Sequence, residues 1–428
     1  MGTNVHLNQL SATAAAAAIA AGKVTSEALV AACLERIAQR EDDVRAWAFV
    51  DPELALKEAR QRDREPRRTR LHGIPIGVKD VFDTCGMPTE YGSQIYQRNQ
   101  PSSDAACVAQ VREAGGVVLG KTVTTEFATR HPNKTRNPRN PAHTPGGSSS
   151  GSAAAVADDM VPIAFGTQTT QSITRPAAYC GVVGYKPTFG VINRAGLKRL
   201  SETLDTVGVL TRTVPDAALI VEELSGMAPT SFDHLDHKPR IGFCRTPYWD
   251  QADAASQANL EAAAAKLASA GAAVTKLDLP AEFASLVDTQ ATINGYETLR
   301  ALSYERANFA QLISASLTDR LDADRKISYT QYEGAMQLAE RCRSQLDDVF
   351  RDYNLLLVPS TPGEAPASLE TTGEPIFGVI WTTLYVPCVT LPYGAGPVGL
   401  PLGVQLVARR WNDAQLLVHA EWVLRALS

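Results

Sequence analysis

Four serines and three glycines crowd the stretch His143–Val156, "HTPGGSSSGSAAAV", directly before an alanine-rich run. Serines in such a setting can attack a carbonyl, help to cradle a phosphate or pass a proton between other groups. Ser149 sits in a Gly-x-Ser-x-Gly frame, Gly147 to Gly151, which is the pattern of a nucleophile elbow. An elbow requires a strand running straight into the turn and a helix straight after it, so that the serine stands exposed at the sheet edge. The helix is expected here, but the preceding "NPRNPAHTP" is too rich in Pro and Asn to be a strand. The elbow also needs a downstream acid and then a histidine. Only His234, His237 and His419 remain downstream, none in an obviously positioned loop. A phosphate loop wants Gly-x4-Gly-Lys-[Ser/Thr] after a strand, and no lysine follows Ser152. No His-Glu-x-x-His or paired Cys/His spacing points to a metal site.

In the remaining reading the stretch supplies a helper serine between two other groups. Lys79 lies upstream in "GIPIGVKD", and Ser172 lies downstream in "GTQTTQSITRPAAYCGVVGYKPTFG". With these residues in view the sequence resembles the amidase signature family. The family's glycine–serine motif appears as "GGSSSGSAAAVA" from Gly146, and its nucleophile motif runs from Thr169 to Gly190. The resemblance extends nearly end to end, through "GKVTSEALVAACLERIAQRE", "LLLVPSTPGEAP" and "VPCVTLPYGAGPVGLPLGVQLVARRWNDAQLL".

The resemblance implies an α/β fold, a single large mixed β-sheet covered by helices on both faces. It implies one domain over residues 1–428, with a catalytic core at about 70–225. It also implies a serine amidohydrolase that works through an acyl-enzyme, with no metal or organic cofactor. Ser172 would be the nucleophile, Ser148 a bridge held on an unusual cis peptide bond, and Lys79 a buried neutral base. Amide hydrolysis needs an activated nucleophile, a proton shuttle to the leaving amine and donors for the tetrahedral oxyanion. By the same resemblance the donors are the backbone N–H groups of Thr169, Thr170, Gln171 and Ser172. Ser149 is then a decoy, expected to cap the helix that follows it.

The sequence departs from the family at Thr170-Gln171, where a glycine pair usually precedes the nucleophile. If that loop required φ > 0, Gln would be disfavoured there. Either the loop is built differently or Gln171 projects into the site. Arg175 is the cation nearest the nucleophile in sequence, and guanidinium binds carboxylate bidentately. It is a candidate substrate clamp, with a structural salt bridge as the alternative. Gln168, Phe127 and Ala128 resemble pocket-lining positions. Trp381 is set either against the acyl group or in the core, and Cys180 reads as a buried structural thiol. Asp80 would oppose a lowered lysine pKa at its neighbour if its carboxylate pointed inward.

Helical patterns cover Leu10–Ala21, a segment from Thr25 to Gln39 capped by Thr25 or Ser26, and Pro52–Arg62. A strand is expected over Gly73–Asp80, and a helix leads into the strand "GVVLG". Later "PRIGFC", "AAVTKLDLP" and "NLLLVPS" read as strands, with two long helices at about 283–314 and 329–351. Short apolar strands between helices imply a large sheet with helices on both faces. The best candidate boundary is Ser225–Pro239, but the pattern after it does not change character, so one domain is expected.

Of the 428 residues 44% are hydrophobic, 20% charged and 7% aromatic, ordinary for a soluble globular chain with a sizeable core. The net charge of −5 and a single short basic cluster, Arg64–Arg70, without interleaved aromatics argue against a nucleic-acid partner. Seven scattered cysteines without a Cys-x-x-Cys suggest a reducing compartment. The apolar run "ATAAAAAIAAG" follows polar residues, with Ser11 as cap and Gly22 as stop, and so reads as a first helix rather than a signal core. No run approaches the roughly 18 apolar residues of a membrane span. These features together predict a soluble cytoplasmic protein with no membrane partner; the family resemblance adds an enzyme acting on a small-molecule amide or carbamate (or a related ester), and the homodimer common among family members. Two alternatives stand beside it. One is the glutamine-amidase component of a tRNA-dependent amidotransferase, whose loop usually reads "DTGGSIR" where this chain has "QTTQSITR". The other is a non-catalytic binding protein that keeps the fold, for which the Thr170-Gln171 departure speaks.

Overall fold

Eleven strands among the described residues form one mixed sheet in the computed structural model, which describes residues 6–233 and 238–428. They are β1 (Trp47–Val50), β2 (Pro75–Lys79), β3 (Val117–Thr122), β4 (Ile163–Gln168), β5 (Val183–Lys186), β6 (Thr206–Thr211), β7 (Arg240–Cys244), β8 (Ala273–Leu277), β9 (Leu355–Pro359), β10 (Cys388–Ala395) and β11 (Pro401–Val407). Their order across the sheet is β1-β3-β2-β4-β6-β5-β10-β11-β9-β7-β8. β2 runs parallel to β3 and β4, and β7 runs parallel to β8 and β9, whereas the pairs between these wings are antiparallel. Every residue of β2, β3, β4, β5 and β6 is buried, as expected of strands covered on both faces. The edge strand β8 alternates exposed and half-buried positions instead.

Helix starts follow local chemistry. Ser11 Oγ accepts the N–H of Ala14 to cap Ala12–Ala20, and Thr25 Oγ1 accepts that of Ala28 to cap Ser26–Val44. Thr25 rather than Ser26 is the cap, because Ser26 Oγ donates to the carbonyl of Gly73. The helix expected over residues 283–314 is broken. A 3₁₀ turn (Ala281–Ser285) precedes a helix over Leu286–Ala301, and a short helix follows over Ser303–Asn308. A further helix, Ala315–Asp324, starts at its own cap, Ser314, whose Oγ accepts the N–H of Leu317. The segments on either side of Ser225–Pro239 contribute strands to the same sheet, with β7 pairing β9, β11 joining β9 to β10, and β10 pairing β5. His234 and His237 lie outside the described residues. No helix among the described residues is long and apolar enough to cross a membrane. All seven cysteines are free, and only Cys85 is exposed.

Candidate active site

β2 ends on Lys79, whose side chain is fully buried. Its Nζ lies 2.8 Å from Ser148 Oγ and 2.7 Å from Thr167 Oγ1, the latter on β4. Burial lowers the lysine from its ordinary value to about 7, and the negative charge of Asp205 opposes that shift. Asp80 does not oppose it as the sequence allowed. Its carboxylate meets the buried Lys121 at 3.1 Å and accepts the N–H of Glu90 at 3.1 Å. Among the described residues the amine of Lys79 hydrogen-bonds to hydroxyls alone.

The serine stretch approaches this lysine through a close turn. Gly146 has φ of 80°, and a Cβ placed on it would come within 2.8 Å of Pro176 Cα, so only glycine fits there. The Gly147–Ser148 peptide bond is cis. The N–H of Ser149 donates to the carbonyl of Ser172 at 3.3 Å, which sets the two serine segments side by side. Ser149 occupies the N-cap position of the helix Ser150–Ala157 but makes no capping bond, contrary to expectation. Its Oγ instead faces the backbone of Thr167 on β4, accepting the N–H at 3.3 Å and donating to the carbonyl at 3.4 Å.

Past β4 the chain turns through Thr169–Ser172 into the helix Thr174–Cys180. Gln168 bridges this turn from beneath. Its Oε1 accepts the N–H groups of Ile173 (3.0 Å) and Thr174 (3.1 Å), and its Nε2 donates to Thr382 Oγ1 at 3.0 Å. It shapes the turn and does not line the cavity. The carbonyls of the turn are tied outward. Gln290 Nε2 donates to Thr169 O at 2.9 Å, and Thr382 Oγ1 donates to Thr170 O at 2.8 Å. Among the described residues the N–H groups of Thr170, Gln171 and Ser172 donate to no protein acceptor.

Neither Thr170 nor Gln171 has a positive φ, so the loop is built without the conformation that favours glycine. Gln171 also does not project into the site. Its side chain is fully buried, its Nε2 donates to Ser360 O at 2.6 Å, and its methylenes pack on Gly378.

Arg175 is committed elsewhere than to a clamp. Nη2 donates to Gly147 O at 2.7 Å and to Thr372 Oγ1 at 3.1 Å, while Nη1 donates to Gly373 O. Among the described residues it forms no salt bridge either; it fixes the carbonyl of the cis peptide and ties the 372–373 segment over it. Phe127 is buried edge-on to Tyr96, away from the cavity, whereas its neighbour Ala128 lines the cavity. Both have left-handed φ, 46° and 57°. Trp381 is fully buried in an apolar cluster with Ile380, Leu384 and Val358, and it does not face the cavity. Cys180 is buried with its thiol pushed up to about 12, which keeps it protonated and unreactive.

Ser172, Thr169, Thr170 and Arg175 lie in the wall of a cavity of about 510 Å³. Leu200, Val287, Ala291, Leu317, Ile376 and Val379 make its apolar side, and Gln290, Asn294, Arg320 and Asp324 a polar one. About half of this wall comes from the broken helical region at residues 286–324 and from the helix Ile376–Thr383. Thr167 and Gln290 were not singled out from the sequence. Only the strand register of β4 against β2 could have indicated Thr167, and nothing local marks Gln290. No group of three or more His, Cys, Asp or Glu side chains among the described residues could hold a metal.

Residues 28–417 match the Amidase family. The chain is 31% identical to the A component of glutamyl-tRNA(Gln) amidotransferase from Lysinibacillus sphaericus (strain C3-41), over 94% of each. Among solved structures it is similar to the native peptide amidase of Stenotrophomonas maltophilia, with a TM-score of 0.85 and 30% identity over 98% of this chain and 97% of that one. A second solved amidase gives a TM-score of 0.89 at 28% identity, covering 98% of this chain and 100% of the other. The mixed sheet, the glycine–serine turn set beside a buried lysine and these matches lead to one assignment: the chain belongs to the amidase signature family.

Proposed function

We propose that the protein is an amidohydrolase that cleaves the C–N bond of a small amide or carbamate through an acyl-enzyme on Ser172. The observation that carries this reading is Lys79, fully buried, with a pKa near 7 and its nitrogen 2.8 Å from Ser148 Oγ. A lysine that is neutral near physiological pH accepts a proton from Ser148, which in turn takes the proton of Ser172 as that oxygen attacks the carbonyl. The same relay returns the proton to the leaving nitrogen, and water enters by the reverse route to release the acid. The N–H groups of Thr170, Gln171 and Ser172, without protein acceptors, serve the oxyanion in this reading. Thr169 completes the donor set by position. The apolar side of the cavity suits an uncharged acyl or aryl part.

A second reading is favoured by the similarity, over nearly the whole chain, to the A components of glutamyl-tRNA(Gln) amidotransferases. In it the same relay releases ammonia from glutamine for a partner protein. Mass spectrometry after phenylmethylsulfonyl fluoride tests the shared chemistry, and a single adduct on Ser172 is the expected result. An unlabelled protein, inert toward aryl amides, esters and carbamates, would leave the non-catalytic reading. Glutamine hydrolysis against that aryl panel then separates the first two readings.

A further inference from the structure

Asp205 lies at the start of β6, beside the end of β4, and its side chain is buried. Its Oδ1 accepts Thr169 Oγ1 at 2.5 Å, and its Oδ2 accepts the N–H groups of Leu200 (2.8 Å) and Ser201 (3.2 Å). Both oxygens are thus occupied as acceptors, the arrangement that suits an ionised carboxylate. No ion pair among the described residues includes it. Burial pushes this carboxyl up, opposed by its bonds to Thr169, Leu200 and Ser201 and by the charge of Arg194, whose Nη1 donates to Asp205 O at 3.1 Å. A neutral amide would hold Leu200 and Ser201 equally well, so a buried carboxyl outside any ion pair calls for another reason.

We propose that Asp205 is a positioning residue of the reaction, anchoring Thr169 at the head of the oxyanion turn and setting the charge felt by the Lys79 relay. The proposal rests on the reading of Lys79 as the base. The groups around that lysine leave Asp205 this role. On its own strand Asp80 is turned to Lys121, and Lys121 on β3 is paired with Asp80. On β4 it meets the Thr167 hydroxyl, and in the serine turn Ser148. The helix Ser150–Ala157 packed on β2 carries no ionisable side chain. Asp205 is the charge whose field reaches Lys79, and it favours the ammonium. The two effects on the site differ in kind. The bond to Thr169 fixes geometry, whereas the charge decides at what pH the relay can accept a proton.

The test is the rate at which phenylmethylsulfonyl fluoride labels Ser172, followed by mass spectrometry across pH. Wild type should show a rate that rises with pH through a midpoint near 7. Asp205→Asn should move that midpoint about one pH unit toward acid, because the charge favouring the ammonium is gone. Thr169→Val should lower the plateau rate about tenfold with the midpoint unmoved, and Thr169→Ser should restore it. Should Asp205→Asn not fold, Asp205→Glu keeps the charge on a longer arm, so its plateau should fall while its midpoint stays. An unmoved midpoint in Asp205→Asn overturns the electrostatic role. So does an acid shift in Asp205→Glu. A Thr169→Val protein labelled at the wild-type rate overturns the anchoring role. A wild-type profile that is flat across neutral pH is a different failure, that of Lys79 as the base.

Discussion

Among the described residues the Lys79 amine hydrogen-bonds to two hydroxyls and to no carboxylate, and burial brings it to about 7. Turnover should accordingly rise with pH through a single ionisation near neutrality, reporting the free enzyme in kcat/KM. Lys79→Ala should lower kcat/KM by several orders of magnitude on whichever aryl amide or carbamate is turned over. Lys79→Arg should not restore it, because a guanidinium stays charged; an Arg variant with substantial activity would remove the lysine from the base role. The serines differ in the same experiment. Ser172→Ala should lose both turnover and sulfonyl labelling while its unfolding midpoint stays in place. Ser149→Ala should still be labelled at Ser172, with stability reduced by about 1 kcal/mol for its two bonds to Thr167. Labelling of Ser149 in the wild type would return the elbow to consideration. Residue types and order sufficed to single out Lys79, Ser148 and Ser172, since the glycine–serine and nucleophile motifs are long. Gln290 was illegible because its role depends on a helix 118 residues beyond the nucleophile packing back on the turn.

At the scale of elements, the turn that carries the nucleophile is held from outside as much as by its own sequence. The helix Ile376–Thr383 lays Gly378 against the Gln171 side chain and sends Thr382 Oγ1 to Thr170 O. That packing explains how Thr170-Gln171 is accommodated where glycines are usual. The side chain has a sealed berth behind the turn, and the backbone needs no positive φ. Sequence reasoning could see the substitution but not the berth, whose far wall is 207 residues away. Gln171→Gly should therefore act on stability rather than on substrate choice. It leaves Ser360 O buried without its donor and opens a void, a loss of about 1–3 kcal/mol in denaturant unfolding. An altered substrate profile at unchanged stability would contradict this. Gly378→Ala should be destabilising as well, because its Cβ would overlap the Gln171 methylenes.

The whole molecule is built on a sheet whose inner strands are largely buried, and β2, β3, β7 and β9 were readable as short apolar runs. What escaped the reading were the buried strand β6 and the helix Val214–Ser225 that follows it, together with pieces of little periodicity: the edge strand β1, the helix Ile376–Thr383 and the breaks within residues 281–324. The helix Ile376–Thr383 and the broken segments enclose the cavity, and polar Gln290, Asn294 and Asp324 face into it from segments that look like ordinary amphipathic helix. Placing a base in such an interior has a consequence for the stability of the entire fold. Lys79 titrates near 7 when folded and near the ordinary lysine value of 10.5 when unfolded. Between these values the unfolded chain binds a proton that the folded one does not, so stability rises with pH across that window. Below about pH 7 the folded state carries a buried ammonium and the full cost applies; above 10.5 both states are neutral and it vanishes. Lys79→Met fills the same space without an ionisation. It leaves Ser148 and Thr167 without the amine at every pH, a loss that does not vary along the axis. The stability of the Met variant relative to wild type should therefore be most favourable at about pH 6 and decline by on the order of 3 kcal/mol by about pH 9.5. Urea unfolding of the two proteins at both pH values measures that difference directly. A difference that does not change with pH would mean that Lys79 keeps its ordinary pKa in the folded protein, as an ammonium sharing its site with water.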